Sequence, residues 1–213
     1  MNIEMGNEMS KETQKKMKVL IAYATDSGST AEVAKSIAEE IGKAGASVEV
    51  LPVGSITSLE GFDAIVIGAP EIVGWHRAAK RFVHQYRERL AQIPVAYFFT
   101  LMSLTEPGSD TIQGIPLACD GELTHPPTRE GKLSVKERYA SVENYLNPVL
   151  KEAPAVKPVG VAFFGGKLNY YRMNWFRRLF VMAIVNANPG DRRNWDFIRA
   201  WAAGIAPLLK LER

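Results

Sequence analysis

The chain alternates short apolar runs with longer segments in which apolar residues recur every three or four positions. The apolar runs predict buried strands at 17–23, 47–53, 62–70, 94–102 and 157–168. The helical spacing predicts helices at about 30–42, 76–92, 134–152 and 194–210, the third of them bent or shortened by Pro148. Strands that alternate with helices are typical of a parallel sheet covered on both faces, so we expect one α/β domain over 17–213.

Three segments lie outside this alternation. Residues 103–133 are rich in Pro, Gly and Thr, and we expect a long loop or flap there. Residues 169–193 follow the fifth strand as an insert, in which a Tyr/Arg/Trp cluster precedes an apolar stretch. Residues 1–16 are polar with mixed charge, which predicts a disordered tail and not a secretory signal.

Composition narrows the classes of function. Of 213 residues, 46% are hydrophobic and 23% are charged, as in an ordinary soluble globular protein. The single cysteine, Cys119, excludes an internal disulfide and a thiolate metal cluster, and it suits a reducing cytoplasm. The three histidines show no metal spacing, and the net charge of +3 does not favour a nucleic-acid partner. The longest apolar run, 179–185, is far shorter than the ~20 residues of a spanning helix.

The stretch "ATDSGST", residues 24–30, carries the clearest chemistry. It joins the first predicted strand to the first predicted helix, and it contains neither lysine nor arginine. Backbone N–H groups and the helix dipole favour an anion at a helix N-terminus. Hydroxyl groups add donors, and Gly28 permits a close backbone approach or a positive φ angle. We therefore expect a phosphate held by neutral donors, with an ordinary capped helix start as the alternative.

Other phosphate-binding motifs do not fit this stretch. A P-loop ends in Gly-Lys-Ser/Thr, and a dinucleotide fingerprint needs three glycines, whereas only Gly28 is present. A phospho-accepting receiver domain needs an aspartate at the end of the third strand, where this chain reads "VIGAP".

The same residues resemble a known family. Thr25, Asp26, Ser27, Gly28, Ser29 and Thr30 match the T-x-[ST]-G-x-T loop with which flavodoxins hold the phosphate of FMN. The resemblance implies a flavodoxin-like three-layer sandwich with a five-stranded parallel sheet of order 2-1-3-4-5, and an extra insert after strand five. It also implies FMN as the cofactor.

Two further loops are then expected to frame the flavin ring. The first, after strand three, contributes Ala69, Pro70, Glu71, Val73, Gly74 and Trp75. Trp75 either stacks on the flavin or is a partly buried aromatic residue at the start of a helix. Glu71 could equally be a surface charge. The second loop, after strand four, contributes Thr100, Leu101, Met102 and Ser103, whose backbone amides are expected to face the ring.

The insert and the charge point away from an ordinary flavodoxin. The sequence pI is about 8.9, whereas flavodoxins that dock on basic partners are acidic. The insert resembles that of menaquinone-dependent protoporphyrinogen oxidases, a flavodoxin-like family that uses FMN. Its matching residues are Tyr170, Arg172, Trp175 and Arg178, which the resemblance makes candidates for contact with substrate or partner. A plain core helix or a dimer-forming helix is the alternative for this segment.

The resemblance implies an FMN-dependent oxidoreductase that passes electrons from a porphyrinogen to a quinone. An electron carrier that docks on a redox partner protein, or an interaction module without flavin, are the alternatives. A cytoplasmic location is expected, and the basic apolar insert leaves open peripheral contact with the inner face of the cell membrane. The 103–133 connection is longer than in the oxidases, and the region after the insert is shorter, which leaves the substrate open.

Overall fold

A computed structural model describes residues 16–72, 74–129, 131–168 and 190–210. In chain order the strands are β1 Lys18–Tyr23, β2 Ser47–Pro52, β3 Ala64–Pro70, β4 Val95–Leu101, β5 Leu104–Thr105, β6 Thr111–Ile112, β7 Ile115–Cys119, β8 Thr124–His125, β9 Gly160–Gly165, β10 Lys167–Leu168 and β11 Gly190–Asp191. The helices are α1 Ser29–Lys43, α2 Arg77–Gln85, α3 Arg87–Leu90, α4 Val135–Tyr139, α5 Val142–Leu150 and α6 Trp195–Ile205.

The main sheet has the order β2-β1-β3-β4-β9-β7-β6. Its first five strands are parallel and are the five expected from the sequence, so the predicted order 2-1-3-4-5 is confirmed. They form because continuous apolar runs are stable as strands only where helices cover both faces. On one face α1 and α6 pack against β1, β3 and β4; on the other face α2, α3 and α5 do so.

The segment 103–133 is not simply a loop. Its strand β7 pairs in parallel with β9, and β6 pairs antiparallel with β7, so the sheet has seven strands where five were expected. Ile115 is buried, which anchors this extension. The sequence analysis missed β7 because the strand contains Pro116 and lies among glycines. Proline is normally confined to edge strands and bulges, so its presence argued against a strand.

Two predicted helices are each divided in two. The helix expected at 76–92 breaks at Tyr86 into α2 and α3, and that expected at 134–152 breaks at Ala140 and Ser141 into α4 and α5. Ser134 and Glu137 form a capping box at α4, and the Ser141 side chain caps α5. Serine at these places competes for the backbone and so favours a new helix start.

The carboxyl ends of β1, β3, β4 and β9 meet at one edge of the sheet, where open α/β folds bind ligands. Tyr23 is level with Gly68, and Leu101 with Gly165. At this edge β10 and β11 pair antiparallel and form the base of the insert. Of the expected insert, 169–189 lie outside the described residues, as do 1–15 of the expected tail. Within the described ranges, the helices are too short or too polar to cross a membrane.

Candidate cofactor-binding site

The loop after β1 is shaped by Thr25 and Gly28. The Thr25 Oγ1 accepts the Gly28 N–H at 2.9 Å, and Gly28 then takes a left-handed φ of 91° as the N-cap of α1. Among the residues that the structure describes, no side chain caps this helix start, and the space where a Cβ at Gly28 would stand is open. Because the first N–H groups of a helix have no partner inside it, the start of α1 suits an anion.

The four hydroxyls of this loop do not all face a ligand. Thr30 is fully buried, and its Oγ1 lies 3.1 Å from the Oγ1 of Thr100 at the end of β4. Thr25 uses its oxygen to shape the turn. The fit to a phosphate therefore rests mainly on backbone N–H groups, with Ser27 and Ser29 half-buried at the surface of the loop.

The loop after β3 is a tight turn. The Glu71 N–H donates to the Thr100 carbonyl at 2.9 Å, Gly74 adopts a φ of 84°, and Glu71 forms a backbone bridge with Trp75. Ala69 is buried and Pro70 half-buried, while Val73 lies outside the described residues.

Trp75 is buried in the core, although it also lines the cleft between the loops after β1 and β3. Trp75 is 2% exposed, and its ring lies 5.2 Å from the Phe99 ring and 5.9 Å from the Tyr97 ring between centroids. Of the two roles left open by the sequence, the structure places Trp75 in the core.

Glu71 is buried and not a surface charge. Desolvation raises the pKa of its carboxyl to about 8, although a hydrogen bond from the Gly74 backbone and the charge of Lys80 act in the opposite direction. Among the described residues its Oε2 has no hydrogen-bond partner. A largely protonated carboxyl therefore stands behind this loop at neutral pH.

The loop after β4 is held by its carbonyl groups. The Leu101 carbonyl accepts the Gly166 N–H at 2.7 Å, the Met102 carbonyl accepts Arg192 Nη1 at 3.1 Å, and the Ser103 carbonyl accepts the Tyr145 hydroxyl at 3.4 Å. Three successive fixed carbonyls set the orientation of the backbone. Such a loop suits recognition of a ring edge by main-chain groups.

Two contacts at this site escaped the sequence analysis. The Nδ1 of His76 accepts the Ala78 N–H, so its Nε2 carries the proton and faces Asp26 Oδ1 at 3.4 Å. Both residues line a cleft of about 460 Å³ between the loops after β1 and β3. Arg193 Nη1 lies 2.6 Å from Glu32 Oε2, in the first turn of α1. Sequence separations of 50 and 161 residues leave no local signal for either.

The insert residues, a metal site and Cys119 are the other points that the sequence raised. The insert residues Tyr170, Arg172, Trp175 and Arg178 lie outside the described residues. In the part of the chain that the structure describes, no group of His, Cys, Asp and Glu could hold a metal ion. Burial raises the pKa of the Cys119 thiol to about 12, which disfavours a thiolate nucleophile.

Comparison with known proteins places this geometry in a family. The model of the family described as "Flavodoxin domain" matches residues 20–194. A curated relative, protoporphyrinogen IX dehydrogenase [quinone] of Escherichia coli K12, is 24% identical over 203 residues, covering 90% of this chain and 96% of its own. Among solved structures, oxidised flavodoxin 2 from Bacillus cereus has a TM-score of 0.50 at 17% identity, with 90% of this chain and 99% of that chain covered.

A second solved structure, rubredoxin oxygen:oxidoreductase from Desulfovibrio gigas, matches 91% of this chain and 37% of that chain, with a TM-score of 0.48 and 13% identity. At 17% identity the B. cereus structure supports the fold alone, whereas the family model covers most of the chain. The chain therefore belongs to the flavodoxin domain family, an FMN-binding family.

Proposed function

We propose that this protein is an FMN-dependent oxidoreductase that takes electrons from a porphyrinogen and passes them to a quinone. The observation that carries the proposal is the extent of the match to the E. coli dehydrogenase, which covers 90% of this chain and 96% of the relative. The likeness is thus not confined to the loop after β1.

The proposed cofactor site uses the three loops at the carboxyl edge of the sheet. The loop at 25–30 would hold the phosphate through N–H groups and the start of α1. The ring would lie between the loops after β3 and β4, facing Ala69, Pro70, Glu71, Val73, Gly74 and Thr100, Leu101, Met102, Ser103. Trp75 would support the first of these loops from the core. When bound, FMN supplies the capacity to accept and release electron pairs.

Removal of hydrogens from a porphyrinogen proceeds in two-electron steps, and reduction of one quinone to a quinol balances each step. The protein contributes position, exclusion of water and charge. We assign no side chain as an essential acid or base.

Two arginines beside the cleft suit a substrate with carboxylate groups. Arg77 and Arg81 are exposed one turn apart on α2, and both line the cleft that Asp26 and His76 also line. Within the described ranges neither forms an ion pair, whereas Lys80 and His84 both approach Glu152. Guanidinium groups bind carboxylates through paired hydrogen bonds, which fits the propionates of a porphyrinogen. Tyr170, Arg172, Trp175 and Arg178 of the insert would complete such a site.

The second candidate function is electron transfer to a partner protein without catalysis. A cleft of about 520 Å³ is lined by Arg77, Lys80, Arg81, His84 and Glu152, and this basic face favours an acidic partner. A cytoplasmic location, and contact of the basic insert with the inner face of the membrane, belong to the proposal as well.

Anaerobic turnover separates the two functions. The FMN-loaded protein is mixed with protoporphyrinogen and a soluble menaquinone analogue, and porphyrin fluorescence is followed. Quinone-dependent formation of porphyrin supports the enzyme. Absence of turnover in a protein that binds FMN tightly would instead favour the carrier.

A further inference from the structure

The last four residues of the insert, 190–193, contact two parts of the proposed FMN site. These parts are the loop after β4 and the first turn of α1. Arg192 donates from Nη1 to the Met102 carbonyl at 3.1 Å, in the loop after β4. The Arg192 N–H donates to the Gly166 carbonyl at 3.0 Å, and the Arg192 carbonyl fills the place that a Cβ on Gly165 would need. The backbone of this segment is therefore fixed against the sheet edge.

The next residue, Arg193, reaches the opposite end of the site. Its Nη1 lies 2.6 Å from Glu32 Oε2 and 3.4 Å from the Ser29 carbonyl, both in the first turn of α1. Its Nε and Nη2 bind the carboxylate of Asp191 at 2.8 and 2.5 Å, and its guanidinium stacks 4.5 Å from the centre of the Trp195 ring. The Arg193 side chain is only 4% exposed, whereas its partners Glu32 and Asp191 are partly exposed.

The charges of Glu32, Asp191 and Arg193 affect how well a phosphate binds nearby. Glu32 and Asp191 place two carboxylates beside the helix start at which the phosphate is expected, and such charges oppose a phosphate dianion. Arg193 binds both carboxylates, so its positive charge offsets part of their combined negative charge. Lys167, 3.8 Å from Asp191, adds a weaker compensation.

We infer that Arg193 is a specificity-determining positioning residue, which offsets the negative charge of Glu32 and Asp191 so that the loop at 25–30 selects a phosphorylated flavin over an unphosphorylated one. The inference rests on the proposed FMN site. It concerns the phosphate end of the ligand alone, so FMN and riboflavin should respond differently when Arg193 is changed.

The test compares the dissociation constants of FMN and riboflavin for the apo-protein and its variants. Arg193→Gln should weaken FMN binding by roughly tenfold, because two partly exposed carboxylates beside the phosphate lose their positive partner. Riboflavin binding should change by less than about twofold, because riboflavin carries no phosphate for these charges to oppose. Adding Glu32→Gln to this variant should restore part of the FMN affinity, because it removes one of the two opposing carboxylates.

Arg199→Gln is the matched control, because Arg199 pairs with Asp196 at 2.6 Å on the exposed side of α6. Thermal unfolding of each apo-variant checks the fold. If Arg193→Gln weakens both flavins equally, or leaves both unchanged, the inference is overturned while the FMN site stands. If the unaltered protein binds neither flavin, the proposed function itself fails.

Discussion

The hydroxyl oxygens of Thr30 and Thr100 lie 3.1 Å apart, buried between the start of α1 and the end of β4. This bond joins the loop proposed to hold the phosphate to the loop proposed to face the ring. One end of the site thus fixes the position of the other through a pair of buried side chains.

Removing one of these hydroxyls should be more harmful than removing both. Thr100→Val leaves the Thr30 hydroxyl buried without a partner, and we expect a loss of about 1–3 kcal/mol in the free energy of unfolding. The double variant Thr30→Val/Thr100→Val should recover part of this loss. Urea unfolding measures both, with the exposed Thr57→Val as control. Equal losses in the single and double variants would argue against the bond.

Gly28 allows strain and charge to be separated at the phosphate loop. Its φ of 91° disfavours most side chains, but Asn and Asp tolerate this region better than others. The two differ little in size, so Gly28→Asn reports strain and Gly28→Asp adds a negative charge. We expect Gly28→Asp to abolish measurable FMN binding and Gly28→Asn to retain it, as measured by quenching of flavin fluorescence. Comparable FMN affinities in the two variants would contradict a phosphate at this loop.

The raised pKa of Glu71 predicts that the free energy of unfolding depends on pH. Burial raises its folded-state pKa to about 8 from the ordinary 4.5, so between these values the folded protein keeps a proton that the unfolded chain has released. The contribution of Glu71 to the free energy of unfolding is therefore greatest below pH 4.5, and it is lost as pH rises from there through about 8. The loss amounts to about 1.4 kcal/mol for each unit by which the two pKa values differ. Glu71→Gln should flatten this part of the profile.

Urea unfolding between pH 5 and pH 9 measures the effect, and the exposed Glu60→Gln is the control. An unaltered slope in Glu71→Gln would mean that the carboxyl is ionised in the folded protein.

Trp75 should matter for stability and not for flavin stacking. Trp75→Ala should cost about 3–5 kcal/mol of unfolding free energy, since it empties a packed site beside Phe99 and Tyr97. Trp75→Phe keeps an aromatic ring there, and we expect its FMN affinity to stay within about threefold of the original. A large loss of FMN affinity with unchanged stability in Trp75→Phe would place the indole on the flavin after all.

The arginine pair on α2 should act on the substrate and not on the cofactor. In Arg77→Gln/Arg81→Gln we expect the KM for porphyrinogen to rise by roughly tenfold or more, because removal of charge-assisted hydrogen bonds costs about 1.5–3 kcal/mol each. FMN affinity should stay unchanged. Arg87→Gln on α3 is the control, and kinetics with FMN-saturated protein decide between the outcomes. A KM equal to that of the control would move the carboxylate site elsewhere.

Local patterns predicted the five main strands and the turn at 25–30 that leads into α1. Apolar runs and turn residues act over a few neighbouring positions, so they can be recognised in the sequence. The same patterns missed the strand around Pro116 and the breaks at Tyr86 and Ser141, where short-range competition decides the backbone. They left Trp75 undecided, because spacing does not show which side of a turn an indole faces. The contacts of Arg193 with Glu32 depend on topology across 161 residues.

The most direct test of the account is a titration of purified apo-protein with FMN and, separately, with riboflavin, followed by flavin fluorescence. The account predicts tight binding of FMN and markedly weaker binding of riboflavin, because the loop at 25–30 holds the phosphate. Equal affinity for the two flavins would contradict the phosphate loop, and binding of neither would remove the basis for a flavin-dependent function.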